Sequence, residues 1–258
     1  MDTTAERAAA LRALHRPGDP LLLPNAWDAA SARAVEAAGF PAVATSSSAV
    51  SASLGYDDGE DTPAAEMLAA VTRIAAAVSV PVTADLERGY GLSPVEFVER
   101  VAETGVVGCN LEDSVPGVKT VVDVSAQADF LAAVREAATA AGFDLVINAR
   151  VDTYLRRRDA EPAEILAEAT ARARAYLLAG ADCAYPIGAA DPEHLAAICA
   201  EAGGPVNALY TPRSPDPAAL AGLGIARISM GGGLFHLVEA HLAGLLGRVA
   251  GGTSPYPP

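Results

Sequence analysis

The chain has little cysteine, little positive charge and no long hydrophobic run. Its three cysteines, Cys109, Cys183 and Cys199, are odd in number and scattered, and none belongs to a Cys-x-x-Cys pair. They form no disulfide framework, and a reducing cytoplasm is the expected compartment. The start, Met1 to Ala10, has no basic stretch leading into an apolar one, so no secretory signal is expected. Lysine and arginine number 18 against 32 aspartates and glutamates, a formal net charge of −14. This balance argues against nucleic acid as a partner, because phosphate binding needs clustered basic side chains. A divalent cation is not excluded. Mean hydropathy is +0.25, yet no run approaches the roughly 20 apolar residues of a membrane span. Much of the 51% apolar content is alanine, which suits helices as well as cores. The same hydrophobicity excludes disorder.

What is present is a rhythm. Short β-like runs (21–23, 42–45, 82–84, 106–111, 145–149, 183–185, 206–208 and 226–229) alternate with alanine-rich helical stretches (29–38, 64–78, 95–103, 126–141, 163–179 and 192–202). Several helices stop on a glycine, at Gly39, Gly105, Gly142, Gly180 and Gly203, the residue that tolerates a left-handed C-terminal turn. Nearly continuous apolar strands joined by helices indicate a parallel sheet covered on both faces. Eight such units in 258 residues predict an α/β fold, a (β/α)₈ barrel of TIM type, as one domain over residues 1–250 with a Gly/Pro-rich tail over 251–258. A doubly wound sheet is the alternative, weakened because no Gly-x-Gly-x-x-Gly follows the first strand. Gly231-Gly232-Gly233 after the last strand offers backbone N–H groups to a phosphate or carboxylate.

In a barrel, the residues just past each strand share one mouth, where active sites lie. Asp85 and Glu87 follow the third strand two residues apart, so on an extended chain they point the same way. Glu112 arrives from the next strand and Arg150 from the one after. Three converging carboxylates repel unless a cation lies between them. Mg²⁺, with Mn²⁺ as a substitute, suits such oxygen ligands. Arg150 adds a permanent charge able to grip a carboxylate or phosphonate with two hydrogen bonds.

Four segments carry a family likeness: Ser53-Leu54-Gly55-Tyr56-Asp57-Asp58, Ala84-Asp85-Leu86-Glu87-Arg88-Gly89-Tyr90-Gly91, Gly108-Cys109-Asn110-Leu111-Glu112-Asp113 and Ile147-Asn148-Ala149-Arg150-Val151-Asp152. In this order and spacing the chain resembles the isocitrate lyase / phosphoenolpyruvate mutase superfamily. The resemblance implies a (β/α)₈ barrel whose last helix is exchanged between subunits of a homotetramer, a dimer of dimers. It implies Mg²⁺ near Asp85, Glu87 and Glu112, held largely through waters, and a small α-keto or 2-hydroxy acid substrate, phosphonates included. Ser46 and Ser47 match the turn that holds the substrate carboxylate, Asp58 matches an acid near the metal, and Arg150 matches the arginine that contacts substrate. The implied chemistry makes or breaks a P–C or C–C bond beside a pyruvate enolate.

The departures choose the branch. The lyase branch carries a Lys-Lys-Cys-Gly-His loop after the fourth-strand glutamate, whereas residues 114–121 here hold neither Cys nor His. Cys109 lies inside a strand run and reads as a small buried hydrophobe. The small phosphoenolpyruvate phosphomutase-like branch fits better, and Lys119 and Thr120 fall where its gating loop acts. The stretch 115–124 reads as a lid or as an ordinary surface loop. Glu87 stands where aspartate is commoner, which changes its reach. Trp27 and Asn207 are candidates to touch substrate, and Trp27 reads equally as a packing residue. None of the four histidines lies at an expected strand end, so none is a strong general base. Arg156-Arg157-Arg158 reads as a solvated face ahead of an anion-attracting rim. A 2-methylisocitrate lyase-like enzyme and a non-catalytic keto-acid-binding barrel are the competing readings.

Overall fold

The computed structural model describes residues 3–118 and 120–256. The chain opens with α1 (Thr4–Ala13), β1 (Leu21–Leu23), β2 (Asn25–Ala26), α2 (Ala29–Ala37), β3 (Val43–Thr45), α3 (Ser47–Leu54) and α4 (Ala64–Ala75). It continues through β4 (Val82–Asp85), α5 (Pro94–Thr104), β5 (Gly108–Glu112), α6 (Val124–Ala140), β6 (Val146–Val151), α7 (Thr153–Arg156) and α8 (Pro162–Leu178). It closes with β7 (Cys183–Pro186), α9 (Pro192–Glu201), β8 (Asn207–Leu209), α10 (Pro217–Gly222), β9 (Arg227–Ser229) and α11 (Gly233–Ala250). Every expected strand is present within a few residues of its expected limits.

Local chemistry writes the helix ends. Asp28, Ser93, Asp123, Asp191 and Asp216 each accept hydrogen bonds from backbone N–H groups of the turn they precede. Gly39, Gly105, Gly142, Gly180 and Gly203 all take positive φ, as their helix-stopping role requires.

Named strand pairs are all parallel. β2 to β7 form one sheet in chain order, and β1, β9 and β8 form the other. The two sheets join at both seams. β1 and β2 are one extended stretch interrupted at Pro24, which has no N–H for a ladder; β1 pairs with β9 and β2 with β3. At the second seam Ala184 of β7 bridges Val206 in parallel, and the Ala184 N–H donates to the Pro205 carbonyl at 3.0 Å. With β1 and β2 as a single stave, eight staves close a ring, each followed by helix, which is the (β/α)₈ order.

The main apolar core lies between staves and helices, where Val71, Ile74, Phe97, Val101, Leu131 and Leu195 share one buried cluster with Leu111 and Ile147. A second cluster seals the end away from the mouth: Ala8 and Leu11 of α1 pack on Leu21, Leu23, Val107 and Val146. Gly108 permits that closeness, since a Cβ there would sit 3.0 Å from Leu11 Cδ2 and 2.9 Å from Thr83 Oγ1. α11 is the exception to burial. Leu237, Val238, Leu242, Leu246 and Val249 are exposed along it, and Phe235 is its one buried residue. No helix among the described residues is long and apolar enough to cross a membrane.

Candidate active site

Parallel register brings the strand-end residues together. Asp85 pairs with Asn110, Glu112 with Arg150, and Arg150 with Tyr185. Because alternate strand residues share a face, Asn110 and Glu112 point the same way, as do Asn148 and Arg150.

Asp85 is 8% exposed. Its Oδ2 accepts from the Ser47 N–H at 3.1 Å and from Ser47 Oγ at 2.8 Å. Ser47 is the first residue of α3, so the positive end of that helix faces the carboxylate. Asp85 Oδ1 is buried without a hydrogen-bond partner among the described residues. Such an oxygen is costly and calls for a donor or a cation. Asp58 lies across the same hydroxyl, with Ser47 Oγ 3.4 Å from its Oδ1. Burial, reinforced by the Asp85 charge, raises the Asp58 pKa above the usual carboxylate range.

Glu87 sits on a tight turn in which it and Tyr90 both adopt left-handed backbone, at φ 50° and 57°. Its Oε2 accepts from the Glu60 N–H at 2.6 Å and its Oε1 from the Tyr90 hydroxyl at 2.9 Å. Burial, and then the neighbouring Asp85 charge, push its pKa up to about 7. Glu112 gives Oε2 to Arg150 Nη1 at 2.7 Å. Burial still holds the Glu112 carboxyl well above its ordinary range, with Arg150 opposing the shift.

Arg150 is clamped from the other side as well. Its Nε and Nη2 donate to the two oxygens of Asp152 at 2.7 and 3.0 Å. Asp152 is fully buried; Ser114 Oγ donates to its Oδ2, and its own N–H donates to Asp113 Oδ1 at 2.8 Å. Asp113 in turn accepts from Tyr176 at 2.7 Å and Arg172 at 3.1 Å. This relay from β5, β6 and α8 fixes the guanidinium plane, the property that distinguishes arginine from lysine at an anion site.

Ser46, Ser47, Asp58, Asp85 and Arg150 line a pocket of about 290 Å³. Glu87 and Glu112 are not part of this lining; Glu112 is joined to it through Arg150. Trp27 does not join it. Its ring meets Phe235 edge-on at 5.3 Å, in a separate apolar groove between α2 and α11. Asn207 is wholly buried beneath the pocket, where it donates to Ser229 Oγ at 3.0 Å, and Ser229 reaches the lining in its place. Thr120 is exposed and outside the pocket. Lys119 lies outside the described residues. The 115–124 stretch is more ordered than an irregular lid. Ser114 bridges Val121 in antiparallel fashion, Val115 N–H donates to the Thr120 carbonyl at 3.0 Å, and Val122 N–H to the Asp113 carbonyl at 2.9 Å.

The pocket also holds residues that the strand-end reading passed over: Asn25, Asn110, Tyr185 and, from one turn into α11, His236. No histidine stands at a strand end; His236 reaches the pocket from a helix instead. Gly232 allows it, since a Cβ there would stand 3.2 Å from His236 Nε2 and 3.3 Å from Ser48 Oγ. The three-glycine run was the available signal. Of the arginine run, Arg156 turns inward to Ser114 Oγ at 2.8 Å, and Arg157 pairs with Glu168. Cys109 is fully buried and its thiol is pushed up to about 12 by burial, so it stays protonated.

No three His, Cys, Asp or Glu groups among the described residues are spaced to bind an ion together. One free buried oxygen at Asp85, with further acids around it, fits an ion that keeps several of its waters, as Mg²⁺ does.

A ring of parallel strands with a pocket at the strand ends that holds Asp58, Asp85 and a clamped arginine has the layout of a barrel enzyme. The family model described as phosphoenolpyruvate phosphomutase matches residues 11–249. The chain belongs to that family, and so to the phosphoenolpyruvate mutase/isocitrate lyase superfamily of lyases and mutases. It is 35% identical over 218 residues to an uncharacterised protein of Mycobacterium tuberculosis, covering 84% of this chain and 80% of that one. A Burkholderia cenocepacia structure provisionally named as a phosphonomutase superposes with a TM-score of 0.90 at 40% identity, covering 95% of this chain and 99% of that chain. A 2,3-dimethylmalate lyase superposes at 0.82 with 26% identity, covering 95% and 84%.

Proposed function

We propose that the chain is a Mg²⁺-dependent enzyme that forms or cleaves a P–C or C–C bond next to the enolate of a small α-keto acid, in the manner of a phosphoenolpyruvate phosphomutase or of a phosphonopyruvate- or oxaloacetate-cleaving relative. The observation that carries the reading is the unpartnered Asp85 oxygen sharing a pocket with the clamped Arg150. Asp85 would hold the ion, with Mn²⁺ able to substitute, and Asp58, Glu87 and Glu112 would hold its waters. When bound, the ion supplies positive charge beside the ligand's keto oxygen.

The chain's own groups do the rest. Ser46 and Ser47 bind the substrate carboxylate through the turn that opens α3. Arg150, already oriented by Glu112 and Asp152, meets the charge that grows on the reacting oxygen, and needs no rearrangement to do so. Asp58 is placed to hold a proton at its carboxyl oxygen. Lys119 and Thr120 act when the 115–124 hairpin folds over the pocket, which excludes water.

Carbon–carbon cleavage is the second reading. It is favoured by the far pocket wall, where Thr211, His236 and the Gly231–Gly233 backbone could take a second carboxylate. Turnover assays with Mg²⁺ on phosphonopyruvate, phosphoenolpyruvate and oxaloacetate test the first reading. Release of pyruvate or glyoxylate from 2-methylisocitrate-type acids tests the second. Failure on all of these and on a wider keto-acid panel would sink both.

The exposed apolar stripe of α11 and the apolar groove it shares with α2 support a homotetramer, a dimer of dimers that exchanges α11 between subunits. Analytical ultracentrifugation checks it: a monomer at micromolar concentration removes the proposal. The free cysteines suit a cytoplasmic setting.

A further inference from the structure

Asn110 forms the floor of the pocket, in register with Asp85 on one side and Asn148 on the other. Its Oδ1 accepts from Asn148 Nδ2 at 2.8 Å and from Arg227 Nη2 at 3.2 Å. The orientation of this amide follows from chemistry. A guanidinium carries donors only, so the Asn110 atom that it meets must be the oxygen. With Oδ1 engaged twice from below, Nδ2 is turned to the other side of the planar amide. It makes no hydrogen bond among the described residues.

Arg227 is the largest of the fully buried side chains, at 1% exposure, and its Nε and Nη1 have no partner among the described residues. A guanidinium held this deep with one acceptor is costly to fold around. Its one side-chain hydrogen bond among the described residues is the one that sets the Asn110 amide.

We infer that Asn110 is a substrate-binding residue that presents a fixed N–H donor to an acceptor oxygen of the bound acid, beside Asp85, and that Arg227 is the positioning residue that holds the amide in that orientation. This rests on the proposed keto-acid reading of the pocket. The floor then selects a ligand with a carboxylate or keto oxygen at this point. An apolar or amino substituent there leaves the donor unpaired or opposed, and is rejected.

The test is calorimetric titration of the full chain with oxalate in the presence of Mg²⁺, alongside thermal melting. Asn110→Leu removes the donor with a side chain of similar outline and also takes the acceptor from Arg227 and Asn148, so its melting temperature falls; oxalate affinity, read well below that temperature, should fall about tenfold or more. Arg227→Met should weaken binding comparably, and Arg227→Lys, which retains a donor, should recover part of it. Because Arg227 acts through Asn110, the double variant Asn110→Leu/Arg227→Met should bind no worse than Asn110→Leu alone. Should Arg227→Met fail to fold, Asn148→Leu, which removes the other donor to Oδ1, takes its place in the cycle. Wild-type affinity in Asn110→Leu, or losses that add in the double variant, overturns the inference. A wild-type chain that takes up no oxalate overturns the keto-acid reading itself, so the two failures are distinct.

Discussion

The two ends of this barrel use the same residue types to opposite effect. At the closed end Asp182 accepts from Arg12 at 2.7 Å, from Arg135 at 2.6 Å and from the Ile147 N–H at 2.7 Å. Arg12 also pairs with Asp144 at 2.7 Å. Acid and base are balanced there, and the carboxylate oxygens are used. At the open end Asp58, Asp85, Glu87 and Glu112 crowd around Arg150. Burial raises Asp58, Glu87 and Glu112 together, and one Asp85 oxygen has no partner. One end is arranged for stability. The other tolerates repulsion that a ligand and its cation would relieve, the usual exchange of stability for function at a site.

Predictions that break or sharpen this contrast run from large to small. Arg150→Met takes the ion-pair partner from buried Glu112 and two hydrogen bonds from buried Asp152, which keeps Ser114 and the more distant Arg156. Turnover of whichever acid the wild type accepts should drop by about 10²–10³-fold or more. Urea unfolding should show a loss of about 3–5 kcal/mol, as for a broken buried ion pair. A variant that retained a tenth of the rate would remove Arg150 from the chemistry.

Asp182→Ala at the closed end should cost about 2 kcal/mol, discounted because Arg12 and Arg135 stay partly exposed, and should leave kcat unchanged. A kinetic effect there would dissolve the distinction between the ends.

Asp85→Asn should act in the opposite sense. Removing one of several like charges should raise unfolding stability without metal by about 1 kcal/mol, while abolishing the rise in melting temperature that Mg²⁺ gives the wild type. Paired thermal scans with and without Mg²⁺ read both.

At neutral pH the smallest effect belongs to His15, at the closed end, whose contribution emerges only in acid. Burial, with Arg227 nearby, pushes its pKa down to about 4. An unfolded histidine takes up a proton near pH 6.5. Between those values the unfolded chain binds more protons, so stability rises with pH across this window and is lost as pH falls below 6.5. His15→Gln should flatten that slope by up to a few kcal/mol at pH 4 and change little above pH 7. An unchanged slope would assign the acid sensitivity elsewhere.

Much of the frame is legible in the sequence because parallel strands buried on both faces must be apolar and their helices must stop. Val82–Asp85 and Cys183–Pro186 fall where the runs and flanking turns place them. α3 is less readable, since Ser47–Leu54 is made of small residues with little periodicity, and its role is to aim Ser47 at Asp85. The site divides in the same way. Asp85 and Arg150 stand at strand ends, where position alone identifies them. Trp27 follows a strand only two residues long, so alternation gives no guide to its side chain, and packing against Phe235 decides it. The Arg172–Asp113 contact joins residues far apart in sequence, and the inward orientation of Asn110 depends on Arg227, also remote along the chain. No local pattern encodes either one.

The apolar stripe of α11 has a thermodynamic consequence. Leu237, Val238, Leu242, Leu246 and Val249 are 51–69% exposed on a helix whose first turn also carries His236 and Gly233 into the pocket wall. Whatever covers that stripe contributes to the folded state by mass action. If a second copy covers it, as the proposed tetramer requires, dilution acts as a mild denaturant: the melting temperature should fall with protein concentration, and the pocket wall should loosen with it.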